Sequence, residues 1–317
     1  MPCFNAGEYI SEAIRSVLSQ SYSNFELIII DDGSTDRSKE IILSFQEERI
    51  KYFFQQNAGQ CRASNFGISV SRGDFIKFLD ADDILNTTHL ELQLERLKGN
   101  PNSIASCEWG RFYDNDFSSA VFQPEQVWRD MPAITWLKTA LSQRYDMMGG
   151  WLWLIPRAVL QKAGGWDERL SLNNDFEFSV RLLLHAENVF FAKGAKLYYR
   201  SGNLSLSKSQ TEAHYEAAFL SNRLGCSHLL KADGSKEMKR LCADRYKEWL
   251  FTIYPHFPLV AKKIEREIND LGGSKRKPHG GPILKILQAI FGWKAAKQIQ
   301  LFFYRNGYRP ENKSWML

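Results

Sequence analysis

The sequence is poor in cysteine, and the five cysteines that it has are unsuited to a disulfide framework or a zinc site. They are Cys3, Cys61, Cys107, Cys226 and Cys242. Their odd number, their wide spacing and the absence of a Cys-x-x-Cys pair argue against both kinds of site. The six histidines are equally scattered, and none has the i, i+4 spacing of paired ligands on a helix. We therefore expect reduced thiols and no histidine-based metal site.

Long hydrophobic runs are absent as well. No stretch of about 20 uncharged apolar residues occurs, which argues against a membrane-spanning helix. The N-terminus lacks the charged and apolar regions of a signal peptide, so we expect a cytoplasmic protein. The 317 residues, 44% hydrophobic and 24% charged, are enough for one large core or for a main domain with an appendage. The formal net charge of +5 is modest, and basic residues are concentrated towards the C-terminal end.

Two carboxylate clusters are the most informative feature that is present. Residues 31–34 (DDGS) follow the apolar run 25–30 (FELIII), and residues 80–83 (DADD) follow the run 75–79 (FIKFL). Both runs are typical of buried strands. Because ligands bind at the carboxyl ends of the strands in open α/β sheets, two acidic strand ends predict a site for a nucleotide and a divalent metal.

Strand and helix patterns alternate in short units, which predicts an α/β fold with a doubly wound, mostly parallel sheet. Only Met1 precedes Pro2, so the expected first strand is absent, and we interpret the sequence as a fragment or one with a misplaced start. The predicted helices are 8–20, 35–46, 59–71, 87–98, 134–143, 156–163 and 176–185, and the predicted strands are 25–30, 50–54, 74–79, 105–113 and 149–155.

The chain beyond Ser209 is predicted to be helical, which gives an expected catalytic domain over 1–209 and a helical region over 210–317. Within it, residues 282–304 combine apolar, aromatic and basic residues in an amphipathic helix. Such a helix can lie on a membrane surface and meet a lipid-linked acceptor there. Packing against the catalytic domain is the favoured alternative, because most apolar helical stripes face a core. Nucleic-acid binding is not expected, since no recognition motif is present.

The two acidic clusters have structural as well as functional interpretations. Asp80, Asp82 and Asp83 offer the oxygen ligands that Mg²⁺ or Mn²⁺ prefers, yet acids in this position also cap the following helix. Asp31 and Asp32 have the spacing of an Asx-turn, or one of them accepts a hydrogen bond from a nucleobase or ribose. The presence of both motifs in one unit favours the functional interpretation.

A third acid, Asp175, precedes the amphipathic helix at 176–185. There it would be stabilised by the helix dipole whatever its function. The functional alternative is a general base that deprotonates an acceptor hydroxyl, which attacks opposite a departing nucleotide diphosphate. Glu177 and Asp167 are nearby carboxylates that are also candidates for this role.

Six motifs occur in a fixed order over the first two-thirds of the chain. They are 2–10 (PCFNAGEYI), 16–22 (SVLSQSY), 31–36 (DDGSTD), 57–60 (NAGQ), 78–83 (FLDADD) and 164–168 (GGWDE). This ordered set resembles a family 2 glycosyltransferase with the GT-A fold, from Pro2 to about Ser207. The resemblance implies an inverting, nucleotide-sugar-dependent enzyme that uses Mn²⁺ or Mg²⁺. The expected acceptor is a glycan or a lipid-linked molecule, in cell-surface polysaccharide or glycan biosynthesis. The amphipathic helix at 282–304 adds peripheral contact at the inner face of the membrane as an alternative to a purely cytoplasmic location.

The resemblance also implies roles for particular residues. Asp175 would be the catalytic base and Asp82 the metal ligand. The residues implied in donor nucleotide binding are Pro2, Phe4, Asn5, Glu8, Asp32, Ser34, Arg62 and Asp80.

Three departures from the family pattern are visible. Asn174-Asp175 stands where the family has two acids, which keeps the essential carboxylate. Ala63-Ser64-Asn65 replaces the frequent Ala-Arg-Asn, with Arg62 as a neighbouring guanidinium. The segment 199–205 (YRSGNLS) lacks the histidine that often follows the arginine. These departures bear on diphosphate and metal contact rather than on the base.

Two rival functions are weighed against glycosyl transfer. A nucleotidyltransferase would require a phosphate loop rich in glycine and basic residues near the N-terminus, and residues 2–8 lack one. A sugar-nucleotide-binding protein without turnover would bind the donor and catalyse nothing.

Overall fold

The computed structural model describes residues 1–113, 115–143, 147–202, 211–278 and 280–306. The chain forms two compact units, Met1–Asp233 and Gly234–Leu317. The domain boundary expected between residues 209 and 210 lies outside the described residues, and it stays a prediction.

The first unit opens with a small parallel sheet. Its strand order is β1-β2-β3, with Pro2 opposite Ile30 and Leu27 opposite Ile50. Because the strands are parallel, their carboxyl ends lie at one edge, where Asp31 and Asp32 are found. The elements are β1 (Pro2–Cys3), α1 (Ile10–Leu18), β2 (Leu27–Asp31), α2 (Ser38–Ser44), β3 (Ile50–Phe54) and α3 (Gln60–Val70).

The second sheet of this unit contains seven strands in the order β4-β9-β6-β10-β5, with β7 beside β6 and β8 beside β10. Helices α4 to α7 connect these strands. The elements are β4 (Phe75–Lys77), β5 (Ile84–Leu85), α4 (His89–Leu97), β6 (Ile104–Tyr113), β7 (Asp116–Val121), β8 (Met131–Pro132), α5 (Ala133–Ser142), β9 (Leu154–Pro156), α6 (Arg157–Ala163), α7 (Asn174–Leu184) and β10 (Asn188–Arg200).

The expectation of a mostly parallel sheet is wrong, because this second sheet is mixed. Strands β6 and β10 are parallel, whereas β9 runs antiparallel to both β4 and β6. The short strands β5, β7 and β8 are also antiparallel to their partners. Strand β9 reverses direction because it enters the sheet from a 3-10 turn at Gly150–Leu152 rather than from a crossover helix. The strand expected over 149–155 is therefore a turn followed by a shorter strand.

Strand β10 was not predicted, although it is the longest in the chain. Its register against β6 shifts between Ala192 and Lys196, and Gly194 within that bulge has a φ of +87°. A bulge interrupts the two-residue alternation that marks a strand in a sequence. The other predicted helices and strands of the first unit are present, and their ends differ from the predicted ones by three residues or fewer.

Strand β1 occupies the place of the expected first strand, but it has only two residues. A cavity of about 540 Å³ lies beside it, lined by residues that include Ile28 and Ile30 on one side and Ile76 and Phe78 on the other. The Met1 ammonium donates to the carbonyl of Ile28 at 2.9 Å, and burial lowers its pKa to about 6. The cavity thus lies between the two sheets of the first unit, next to β1.

Helices follow both sheets. In the first unit, α8 (Glu212–Ala232) packs on α7 at Gly225, where an added Cβ would lie 2.5 Å from the Phe176 ring. The second unit consists of α9 (Lys236–Ile253), α10 (Pro258–Asp270) and α11 (Pro282–Arg305). Within the described parts of the chain, no helix combines the length and the apolar character needed to cross a bilayer.

Candidate active site

Two loops at the carboxyl ends of β1 and β2 are tied to each other. The Asn5 amide donates to Ser34 Oγ at 3.0 Å, and Asn5 Oδ1 accepts from the Thr35 amide at 2.8 Å. The Gly7 amide donates to Asp36 Oδ2 at 2.8 Å. Asn5 has a φ of +49°, a conformation that asparagine tolerates better than most residues. The structure therefore brings Asn5 and Ser34 together as one wall of a crevice.

Three other predicted donor-binding residues lie on the first of these loops. Phe4 is half exposed, Pro2 is partly buried and Glu8 is exposed. An exposed aromatic ring next to a polar wall is available for stacking against a flat ligand. Nothing in the fold of these residues conflicts with contact to a nucleoside.

Asp32 already has three protein partners. Its Oδ1 accepts from Gln55 Nε2 at 2.6 Å and from the Ala58 amide at 2.8 Å, and its Oδ2 accepts from the Gly59 amide at 2.8 Å. Asp32 thereby holds the 55–59 loop to the end of β2. Because a carboxylate has about four acceptor positions, one on Oδ2 remains for a ligand donor.

The neighbouring Asp31 is structural. It is fully buried, and it accepts hydrogen bonds from the Ser34 amide and from the Tyr52 hydroxyl, both at 2.8 Å. Burial, and then the hydrogen bond to Asp31, raise the pKa of Tyr52. Both acids of this cluster are buried, and Asp32 keeps an acceptor position on the Oδ2 that binds the Gly59 amide.

The second acidic cluster follows β4 and concentrates negative charge. Burial and then the charges of Asp82 and Asp175 raise the pKa of Asp80 to about 7. Burial also raises the pKa of Asp82. Asp83 is fully buried, and burial followed by repulsion from Asp82 and Asp80 raises its pKa well above the usual value. Among the described residues, Asp83 Oδ2 has no hydrogen-bond partner. A nearby cation would relieve this repulsion.

Arg200, at the end of β10, forms hydrogen bonds to this cluster through both its backbone and its side chain. No role was predicted for it from the sequence. Its Nε donates to the Asp82 carbonyl at 2.8 Å, and its amide donates to Asp83 Oδ1 at 2.9 Å. Its guanidinium pairs with Glu12 at 2.6 Å and lies 4.8 Å from the centre of the Tyr9 ring. The sequence signal for it was an arginine at the end of the apolar segment that forms β10.

We expect Arg200→Ala to lower the free energy of unfolding by about 1–3 kcal/mol, because it leaves the Asp82 carbonyl without its side-chain donor and removes a positive charge beside the buried Asp83, although the backbone hydrogen bond to Asp83 remains. Urea titration of the wild type and the variant measures the change. Arg62→Ala is the matched control, since Arg62 is exposed and, in the described part of the chain, makes no ion pair or hydrogen bond. A loss below about 1 kcal/mol for Arg200→Ala would contradict this role.

Asp175 lies in the first turn of α7, and its charge acts on Asp80. Its Oδ1 accepts from the Gly150 amide at 2.7 Å, and burial raises its pKa to about 6. Gln60 links the two acidic regions, since its Nε2 donates to Asp80 Oδ1 at 2.9 Å and its Oε1 accepts from Asn174 Nδ2 at 3.4 Å. The structure therefore brings Asp80 and Asp175 together, although 95 positions separate them in the sequence.

The two alternative carboxylates near Asp175 are engaged elsewhere. Glu177 is buried and pairs with Arg181 at 2.7 Å. Asp167 pairs with Arg169 at 2.6 Å, and that guanidinium holds the pKa of Asp167 below its usual value. Both are therefore poorer candidates than Asp175 for accepting a proton.

The asparagine that the altered Ala-Arg-Asn motif keeps has a structural role. Asn65 Oδ1 accepts from the Trp166 amide at 2.7 Å, and its Nδ2 donates to the Trp166 carbonyl at 2.9 Å. An added Cβ on Gly165 would lie 2.4 Å from Asn65 Oδ1. Asn65 thus fixes the turn before α7, while the exposed Arg62 is on α3 and its diphosphate role stays a prediction.

An aromatic cluster of Trp109, Trp151 and Tyr199, also missed in the sequence, borders the acids. Its ring centres are 5.5–6.4 Å apart. Burial, and then the charges of Asp83 and Asp80, raise the pKa of Tyr199. Trp151 follows Gly150, which holds Asp175.

The described side chains would supply only some of the ligands that a metal ion needs. The described residues hold no group of three or more acidic, histidine or cysteine side chains arranged for a metal ion. Mg²⁺ and Mn²⁺ are often held by one or two carboxylates together with substrate phosphates. Asp82 and Asp80, with their raised pKa values and the unpartnered oxygen of Asp83 close by, fit such a partial site.

Comparison with solved structures shows the fold. The chain is similar to S. aureus TarS 1-349 in complex with UDP-GlcNAc, with a TM-score of 0.66 and 18% identity over 97% of this chain and 91% of that one. The complex of the same protein with UDP gives a TM-score of 0.63. The α/β architecture with C-terminal helices is thus shared with TarS.

Comparison with protein sequences gives the family. A relative from Rickettsia typhi, the uncharacterized glycosyltransferase RT0329, is 30% identical over 60% of this chain, and the match spans 59% of that relative. Uncharacterized glycosyltransferase EpsJ of Bacillus subtilis is 25% identical over 97% of this chain and 95% of its own length. The family model described as "Glycosyl transferase family 2" matches residues 1–162, which is just over half of the chain. The chain therefore belongs to glycosyl transferase family 2.

Proposed function

We propose that this protein is an inverting glycosyltransferase that moves a sugar from a nucleotide diphosphate donor to an acceptor hydroxyl. The observation that carries the proposal is the placement of Asp175 beside Asp80, with its orientation fixed by the Gly150 amide and its pKa raised to about 6. The TarS complex with UDP-GlcNAc supports UDP as the first donor nucleotide to test.

The donor is proposed to bind in the crevice along the ends of β1, β2 and β4. Phe4 and the remaining acceptor position of Asp32 would contact the nucleoside, and Asp80 the ribose and diphosphate. Arg62 is exposed and would meet the diphosphate from α3. The full proposed set is Pro2, Phe4, Asn5, Glu8, Asp32, Ser34, Arg62 and Asp80, within a catalytic domain over 1–209.

Mn²⁺ or Mg²⁺ is proposed as the cofactor, with Asp82 as its first ligand and Asp80 beside it. When bound, the metal would neutralise negative charge on the diphosphate leaving group. Arg200 would act indirectly, because its hydrogen bonds to the Asp82 carbonyl and to Asp83 hold this loop in place.

Asp175 is proposed as the general base. Its carboxylate takes the proton from the acceptor hydroxyl while that oxygen forms a bond to the anomeric carbon, and the bond from this carbon to the diphosphate breaks. Attack opposite the leaving group inverts the anomeric configuration. A pKa of about 6 leaves Asp175 about nine-tenths ionised at pH 7, yet more basic than an ordinary aspartate.

The pH profile and the product test this proposal. We expect kcat/KM for UDP release from UDP-GlcNAc or another UDP-sugar to rise as pH increases through about 6, because Asp175 must lose its proton to act. An acceptor panel, with NMR of the product's anomeric proton, measures the stereochemistry. A retained configuration, or turnover that does not change between pH 5 and 8, would overturn the assignment of Asp175.

The acceptor is proposed to approach over Trp109 and Tyr199. Both rings are partly exposed beside the acids, and aromatic faces bind the apolar faces of sugars or lipids. A glycan or a lipid-linked molecule fits this surface, in cell-surface polysaccharide or glycan biosynthesis at the cytoplasmic side of the membrane. Donor binding without turnover for any acceptor would instead favour a sugar-nucleotide-binding protein.

A further inference from the structure

Helix α11 exposes an unusual number of large apolar side chains. Six of the fifteen exposed large hydrophobic residues of the described chain lie on this one helix, with exposed fractions between 49% and 76%. Exposed apolar side chains concentrated on one helix in this way usually mark a binding surface. We call these six the α11 apolar surface: Ile283, Ile286, Ile290, Phe291, Phe302 and Phe303.

Helix α11 packs on the rest of the second unit near its middle, while its first segment exposes three isoleucines. Ile283, Ile286 and Ile290 follow a spacing of three and four residues, which places them on one helical face. Gly292 has a φ of +74° and breaks the helix into two segments. Directly after it, Trp293 packs against Phe251 at 5.0 Å, measured between ring centres. The helix is thus anchored through Trp293 while the three isoleucines remain exposed.

Charge is distributed very unevenly between the two units. Residues 234–317 contain 17 lysines and arginines against 7 acids, a net charge of +10. Residues 1–233 contain 24 against 29, a net charge of −5. Lys275 and Lys285 are exposed just before and within the first segment of α11. The exposed apolar surface therefore belongs to a strongly basic unit.

We propose that the α11 apolar surface lies in the headgroup region of an anionic lipid bilayer, with the surrounding lysines facing the lipid phosphates. Exposed isoleucine and phenylalanine beside basic residues is the pattern of helices that lie in a membrane interface. Pairing with a second copy would bring two units of +10 together, which repulsion opposes. A nucleic acid would match the charge but would leave the apolar side chains unburied. The inference does not depend on the proposed glycosyl transfer.

Sedimentation of the full chain with vesicles tests this surface. Vesicles of phosphatidylcholine with 30–40% phosphatidylglycerol, roughly the anionic content at which basic surfaces bind, are compared with pure phosphatidylcholine. We expect binding to the anionic vesicles, at least about tenfold weaker binding to the neutral ones, and weaker binding as NaCl is raised. Ile286→Glu with Ile290→Glu should reduce the partition coefficient roughly a hundredfold. Lys275→Glu with Lys285→Glu should reduce it about tenfold or more.

Leu259→Glu is the matched control, because Leu259 is equally exposed but lies on α10. It should bind vesicles like the wild type. Unchanged binding by the isoleucine variant, no binding of the wild type to either vesicle, or a dimer that Ile286→Glu dissociates would each overturn the proposal. UDP binding measured on the same isoleucine variant separates this question from the proposed function, since that variant should bind nucleotide like the wild type whether or not it binds lipid.

Discussion

Replacing Asp175 with asparagine is expected to lower kcat for sugar transfer by roughly 10²–10⁴-fold while leaving the donor Kd within about threefold. Asparagine has nearly the same shape, and its carbonyl oxygen can still accept the hydrogen bond from the Gly150 amide. It cannot take a proton from the acceptor hydroxyl. Steady-state kinetics and calorimetry with the donor measure the two effects separately.

Asp167→Asn provides the control, because Asp167 lies on the same approach to α7 but is paired with Arg169. Its kcat should stay within about threefold of the wild type.

The stability of Asp175→Asn shows whether a loss of activity comes from a folding defect. Burial raises the pKa of Asp175, so its ionised form opposes folding, and this cost grows as pH rises from about 4 through 6. Asp175→Asn should therefore be more stable than the wild type at pH 8, by about 1–2 kcal/mol. Full turnover in Asp175→Asn would remove this residue from the mechanism.

Replacing Asp82 with alanine is expected to remove the metal-dependent part of donor binding. The donor Kd in Mn²⁺ should rise at least about tenfold, to the value that the wild type shows in EDTA. The reason is that Asp82 supplies one of the few carboxylates of the proposed metal site. Relief of repulsion should also lower the pKa of Asp83, because the charge of Asp82 contributes to its raised value.

Asp74→Ala is the matched control for Asp82→Ala. Asp74 is an exposed acid just before β4, and Asp82 follows the opposite end of that strand. Its loss should leave donor binding unchanged both with and without Mn²⁺. If Asp82→Ala binds the donor as the wild type does under both conditions, Asp82 is not a metal ligand.

The positions of three acidic residues in the fold could be predicted from the sequence, because their signals are local. Asp32 and Asp80 each follow a short apolar strand, and Asp175 begins an amphipathic helix, so neighbouring residues were enough to place them. The structure then brought Asp80 and Asp175 together through Gln60. What could not be predicted from local pattern was the mixed order of the second sheet, because β10 is interrupted by a bulge and β9 follows a turn.

Arg200 shows why the rest of the site was missed. Its hydrogen bond to the Asp82 carbonyl joins residues 118 positions apart, and its ion pair with Glu12 joins residues 188 positions apart. No periodicity or spacing in one sequence encodes such contacts. The same holds for the aromatic cluster, in which Trp109 and Tyr199 come from β6 and β10, two strands that pair only in the folded sheet. Arg200 and these rings became visible only once the register of β6 and β10 was known.

Calorimetry of the folded chain with UDP, GDP and dTDP, each with Mn²⁺ and with EDTA, tests for a nucleotide site at the acidic strand ends. We expect UDP to bind, to bind more tightly in Mn²⁺ than in EDTA, and to bind more tightly than GDP and dTDP. Absence of binding by all three nucleotides to a chain that unfolds cooperatively in urea would contradict a nucleotide-sugar site at the acidic strand ends.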